Sequence, residues 1–347
     1  MIRPQNWHRW VLLFVLAARP SAGLAASPDA QRLTSGGLRW LASQQHRQGH
    51  WTADGRYPTA MTALAGLALI ASGSTSTGGP YSENLRKAVD YLVLQAQPSG
   101  LIGDPLRDDR YTYGHGFSML LLSQVLGEEE DLERRHELSR VLAAAVKFTS
   151  RAQTTAGGWG YVSSKEDGSG FDEGSTTITQ VQGLRGCRNA GIAVPKEVID
   201  RAVAYIHFCT MDDGGVQYSS NGGGGRPAIT AAAIACLYNA GEYDDDYVPR
   251  MLEYCREHLG SQTESSYGHW HYAHFYYSQV QYREGDETWR AYRAGTLEKL
   301  AREAENVATP TGPGVVWTQG YIGPVYTTAL NLIILQVDKG YLPIYQR

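Results

Sequence analysis

The sequence predicts an all-α fold of paired helices, and three observations predict it. Glutamine, glycine and tryptophan recur at one spacing, as Gln45, Gly49 and Trp51 and again as Gln153, Gly157 and Trp159, each set closing a helix-like run. Repetition on this scale marks one supersecondary unit copied along the chain, none able to bury its apolar face alone. Amphipathic segments also alternate with segments that are apolar on nearly every face, and no stretch keeps the two-residue strand period for long.

The first unit sets the pattern. Segment 33–45 carries Leu38, Leu41 and Ala42 on one side, with Trp40 beside them. The run TAMTALAGLALIA, 59–71, is apolar all round, as expected of a helix enclosed by other helices. Amphipathic helices follow near 82–96, 137–152, 196–210, 246–259 and 287–306. Buried partners are expected near 113–126, 174–190, 227–240, 267–283 and 324–337, which makes six helical hairpins. Gly73, Gly127, Gly191 and Gly241 stand where helices end, as a residue without a Cβ should. Pro195 and Pro227 stand where helices begin, and Pro98 follows one that has ended.

Six such hairpins can close into a double ring with the apolar helices inside. The QxxxGxW repeats make this arrangement resemble the α/α toroid of squalene cyclases and protein prenyltransferase β subunits. In that family the glutamine bonds a neighbouring helix end and the tryptophan stacks on it, so the resemblance implies structural roles for both. The strings YGHGFSMLLLSQVLG from Tyr113, CRNAGIAVPKEVID from Cys187, DDGGVQYSSNGGGGRPAITAAAIACLYNAG from Asp212 and YLPIYQR from Tyr341 resemble a bacterial family of exported prenyltransferase and squalene oxidase repeat proteins. That name records the repeats, so the resemblance carries the fold further than it carries an activity.

Residues 1–26 have a signal-peptide layout. Arg3, His8 and Arg9 precede the apolar run from Trp10 to Ala18, and Ser21, Ala22, Gly23, Ala25 and Ala26 follow. The run is too short for a permanent span, although Arg19 behind it leaves a retained amphipathic anchor as the alternative to cleavage. The expectation is an exported, periplasmic or extracellular protein whose residues 27–347 form one toroid domain, with no permanent membrane span. A net charge of −4 supplies no basic stripe and argues against a nucleic-acid partner. Cys187, Cys209, Cys236 and Cys255 form an even count that permits disulfides. The helical map separates Cys187 from Cys209 and puts Cys187 and Cys236 at similar heights, with buried free thiols the expectation.

Candidate chemistry gathers at the starts of the inner helices. Protein prenyltransferases hold zinc there with an aspartate, a cysteine and a histidine; the corresponding starts, RPAIT from Arg226 and GSTTIT from Gly174, offer no such set. His271 and His274 are spaced to share one helical face, as a metal pair would be, but no carboxylate or cysteine accompanies them. Hydrogen-bonded imidazoles in an aromatic ring mouth are the expectation, and no cofactor is called for. Class II terpene cyclases use a shielded carboxylic acid at an inner-helix start to protonate an alkene. Asp244, Asp245 and Asp246 belong to an outer helix and read as a solvated run.

Asp172 and Glu173 precede the third inner helix. The resemblance aligns Glu173, Ser175 and Thr177 with a D-x-S-x-T pattern, glutamate standing for its aspartate. They are candidate catalytic acids, or simply the cap of that helix. His115, Tyr113, Trp270, His271, His274, Tyr277, Trp317 and Tyr326 are the candidate ligand-binding residues of the ring mouth. The 22 tyrosines against 6 phenylalanines favour a partly wet cavity. Two readings stay open: a toroid that binds a lipid, isoprenoid, glycan or protein partner at its mouth, and an isoprenoid-processing enzyme using an inner-helix acid.

Overall fold

The computed structural model describes residues 28–168, 170–260 and 269–345. The expected leader lies outside the described residues, as do the first two residues of the expected inner helix 267–283. Six outer helices, α1 (Pro28–Ser43), α3 (Ser82–Leu94), α5 (Leu132–Ala152), α8 (Lys196–Cys209), α10 (Val248–His258) and α12 (Asp286–Glu303), alternate with six inner ones. The inner set is α2 (Pro58–Ala71), α4 (Tyr111–Glu128), α7 (Gly174–Asn189), α9 (Pro227–Ala240), α11 (Trp270–Arg283) and α13 (Pro324–Ile334), and a single turn, α6 (Ser164–Asp167), precedes α7. Every residue of α2 is buried, whereas α3 buries only Leu85, Ala88, Val89, Tyr91 and Leu92. This is the inner and outer division that the apolar pattern predicts.

Each inner helix packs on the next, α2 on α4, then α7, α9, α11 and α13, and α13 returns to α2. Gln336 bridges that closure by donating to the Ala68 carbonyl at 3.3 Å. The chain therefore forms an α/α toroid.

The repeat residues tie the hairpins together. Gln45 Nε2 donates to Gly49 O at 2.8 Å and to Asn84 O at 2.9 Å, at the start of the next outer helix. Gln153 repeats this with Gly157 O at 2.8 Å and Val198 O at 2.9 Å. Trp51 Nε1 and Trp159 Nε1 donate to the Leu41 and Thr149 carbonyls at 2.7 and 2.8 Å, ending the outer helices behind them. At Gly49 and Gly157 the backbone takes φ of +93° and +101°, and a Cβ would stand 2.3 Å from Lys87 O or Arg201 O. Only glycine fits both the conformation and the approach.

One further device repeats. Where the loop meets the inner helix in four units, a backbone N–H donates to a threonine: Trp51 to Thr62, Trp159 to Thr177, Val216 to Thr230 and Trp317 to Thr328, at 2.9–3.2 Å. In the second unit Ile102 N donates instead to His115 Nδ1 at 3.0 Å.

Two details differ from the sequence-based expectation. The glycine run, where the sequence pattern predicts no strand, is an extended strand, β2 (Gly222–Gly225), antiparallel to β1 (Gln217–Ser219). Gly222, Gly223 and Gly224 adopt positive φ there, a route closed to most side chains. The sixth outer helix stops at Glu303, and β3 (Glu305–Thr309) turns back as β4 (Gly312–Val316) against α1, filling the join of the ring. All four cysteines are buried free thiols, as expected.

Candidate functional site

The inner-helix starts enclose a cavity of about 500 Å³, to which all six inner helices contribute. That is within the roughly 300–1,000 Å³ of small-molecule pockets. Leu64, Phe117 and Leu330 form its floor. Each is the seventh residue of its helix, about 9 Å along the axis from the first at the usual rise. The buried Tyr345 packs on Phe275 of α11 with ring centroids 6.2 Å apart.

The upper wall is aromatic and polar, with Tyr57, Tyr113, Tyr161, Tyr218, Tyr272, Tyr321 and Tyr326 all lining it. Several hydroxyls are already committed within the protein. Tyr161 and Tyr218 share a hydrogen bond between their hydroxyls, Tyr113 donates to Glu173 at 2.6 Å, and Tyr272 donates to the Ser175 carbonyl at 3.2 Å. Arg110 lies 4.4 Å over the Tyr161 ring and Arg226 lies 5.8 Å from the Tyr218 ring centre. Two guanidinium groups thus bracket a tyrosine pair on one side of the wall.

Glu173 has no exposed surface and lines the cavity. Its side chain accepts from Ser175 N at 2.5 Å and from the Ser175 hydroxyl, so it caps α7 while forming part of the wall. The cap and the cavity-facing acid are one residue. Burial raises its pKa, and the hydrogen bonds from Ser175 and Tyr113 oppose this only in part. Burial, followed by the Glu173 charge, pushes Tyr113 well above the usual phenol range. His271 lines the cavity as well, bonded through Nδ1 to Asn331 Oδ1 at 2.9 Å, and burial lowers its pKa.

Tyr113, Glu173, Ser175, His271 and Tyr326 therefore come together on the wall, and the other candidate catalytic and ligand-binding residues lie outside it. Asp172, fully buried, accepts from Ser220 N and Oγ at 2.9 and 2.6 Å and so holds the β1–β2 hairpin. His115 serves Ile102 N and Thr149 Oγ1 in the repeat position that threonine fills elsewhere. His274, the fifth residue of α11 as His115 is of α4, bonds Tyr292 and stacks on Trp270 at 4.1 Å. Burial takes both imidazoles down to about 3, so both are neutral at physiological pH. Trp317 Nε1 donates to the Leu300 carbonyl as a third copy of the repeat tryptophan, and Tyr277 packs edge-on against Tyr292.

Among the described residues no group of three or more His, Cys, Asp or Glu is arranged to hold a metal, and no helix is long and apolar enough to cross a membrane. The wall residues that sequence reasoning missed include Asp108, Arg110, Tyr161 and Tyr218. They sit before α4, α7 and α9, three in loops and Tyr218 in β1, where helical periodicity gives no direction to a side chain. The signal that could have found them was position alone, since those segments precede inner-helix starts.

No family profile and no curated protein matches the chain by sequence. Among solved structures, a variant of the type II terpene cyclase MstE from Scytonema, in complex with its substrate geranylgeranyl dihydroxybenzoate, matches at a TM-score of 0.57. The two share 14% identity over 91% of this chain and 99% of that one. A sugar epimerase from a ruminal bacterium matches at a TM-score of 0.59, with 11% identity over 89% and 98%. At these identities the likeness establishes the fold: the chain has the α/α toroid of terpene cyclases.

Proposed function

We propose that the central cavity binds one amphiphilic small molecule of isoprenoid type, its chain on the floor and its polar head at the upper wall. The observation that carries this is the division of the wall itself. Leu64, Phe117 and Leu330 present only hydrocarbon at depth, while Arg110, Arg226, Glu173 and the tyrosines supply polar groups higher up. An apolar chain loses water against that floor at about 25 cal/mol per Å². A sugar ring placed there would leave hydroxyl groups unpaired, which disfavours the glycan reading. Support also comes from the terpene cyclase on the same fold, solved with a geranylgeranyl substrate. The leader-like segment 1–26 supports action outside the cytoplasm.

A second reading, catalysis, is favoured by Glu173. A fully buried carboxyl with a raised pKa on the cavity wall is suited to deliver a proton to a bound alkene. Aromatic faces around it would stabilise a cation formed there.

Native mass spectrometry of protein from its own host, with solvent extraction, tests binding. One equivalent of an isoprenoid is expected; unliganded protein that also fails to bind added geranylgeraniol would refute it. For catalysis, incubation with geranylgeraniol should give products of unchanged mass that Glu173→Gln abolishes, and a wild type that returns only starting material removes this second reading.

A further inference from the structure

The cavity wall holds a second acid that the roles above leave unused. Asp108 lies in the loop between α3 and α4, is only 2% exposed and lines the cavity beside Arg110. Its Oδ1 accepts the Arg110 backbone N–H at 2.9 Å, a turn that leads the chain into α4. Its Oδ2 is buried and has no hydrogen-bond partner among the described residues. Native proteins rarely leave a buried carboxylate oxygen in that state unless something outside the chain completes it. Burial raises the Asp108 pKa, and the attractions of Arg56 and Arg110 do not offset it.

We infer that Asp108 determines specificity for the ligand head, its Oδ2 accepting a hydrogen bond from a ligand hydroxyl. The guanidinium of Arg110 is the complementary partner, since it also lines the cavity and can only donate. The class selected is therefore a hydroxylated head whose hydroxyl donates to Oδ2 while its own or a neighbouring oxygen accepts from Arg110, as in an alcohol, a phenol or a hydroxy acid. An ether offers Oδ2 nothing. A diphosphate sets like charge against it. This inference rests on the amphiphile reading and names the head group which that reading leaves open.

The test compares geranylgeraniol with geranylgeranyl methyl ether, two probes that differ in the hydroxyl proton, by calorimetric titration of the full chain and of Asp108→Asn. Asparagine keeps an oxygen for Arg110 N–H and replaces Oδ2 with a donor. Wild type should prefer the alcohol by about tenfold, the scale of one hydrogen bond to a charged group. In Asp108→Asn the preference should fall below about twofold or reverse. Equal binding of both probes by wild type overturns the role of Asp108 and leaves the amphiphile reading standing. A preference undiminished in the variant overturns it too, and failure of wild type to bind either probe overturns both.

Discussion

Replacing Glu173 with glutamine isolates the electrostatics of the cavity wall. The carboxyl is fully buried, and its pKa in the folded protein lies above the ordinary value of 4.5, burial being the largest cause. The folded state therefore binds the proton more tightly than the unfolded chain does. The stabilisation linked to this proton is complete below pH 4.5 and is lost as pH rises through the folded pKa. Each pH unit between the two values removes about 1.4 kcal/mol, which for a chain of 347 residues corresponds to about 2 °C in melting temperature. Glutamine cannot titrate, and it can turn its oxygen to the Ser175 N–H and its amide to Tyr113, so the cap survives. Paired thermal melts of wild type and Glu173→Gln from pH 4 to pH 8.5 should show the variant gaining on wild type as pH rises, with a plateau above the folded pKa. Other groups that titrate in both proteins cancel in the difference. A flat difference across that range would mean that Glu173 ionises without penalty, and the argument from burial would fail.

Two further substitutions probe the frame. Gly157→Ala would put a Cβ 2.3 Å from Arg201 O at a φ of +101°, so a loss above about 2 kcal/mol is expected in chemical denaturation; a loss below about 0.5 kcal/mol would remove Gly157 from the account of hairpin linkage. Asp172→Ala removes both bonds to Ser220. Limited proteolysis should then cut within 217–225 at least several-fold faster than in wild type, while an unchanged rate would show that Tyr161 and Tyr218 hold the hairpin alone.

The ring was legible because its signals are periodic. The apolar run 59–71 reads as an enclosed helix and is one, and Gln153, Gly157 and Trp159 stand at a unit boundary, where Gln153 bonds across to the next outer helix and Trp159 bonds back to the one before. The site was legible only where it coincided with that periodicity, as at Tyr113 and Glu173. His115 and His274 attract notice as chemistry, yet their position five residues into an inner helix is the one that threonine fills at Thr62 and Thr328. Comparing the units position by position could have assigned His115 to the frame. Arg110, Asp108 and Tyr218 stayed hidden for the opposite reason: they lie outside the helices, on a loop and on the short strand β1, and their direction depends on contacts between units, such as the hydrogen bond between Tyr161 and Tyr218. The short strands were missed because Gly222–Gly225 has no side chains from which to read an alternation.

The central claim is that the ligand occupies the middle of the ring. Ala228 lines the cavity near the start of α9, and tryptophan at that position would fill part of the space. Calorimetric titration of geranylgeraniol into wild type and Ala228→Trp, with melting curves to confirm that both are folded, tests the claim directly. The account predicts saturation at one equivalent for wild type and at least a tenfold loss of affinity for the variant. Equal affinity in the two proteins, or no saturable binding by wild type, would contradict it.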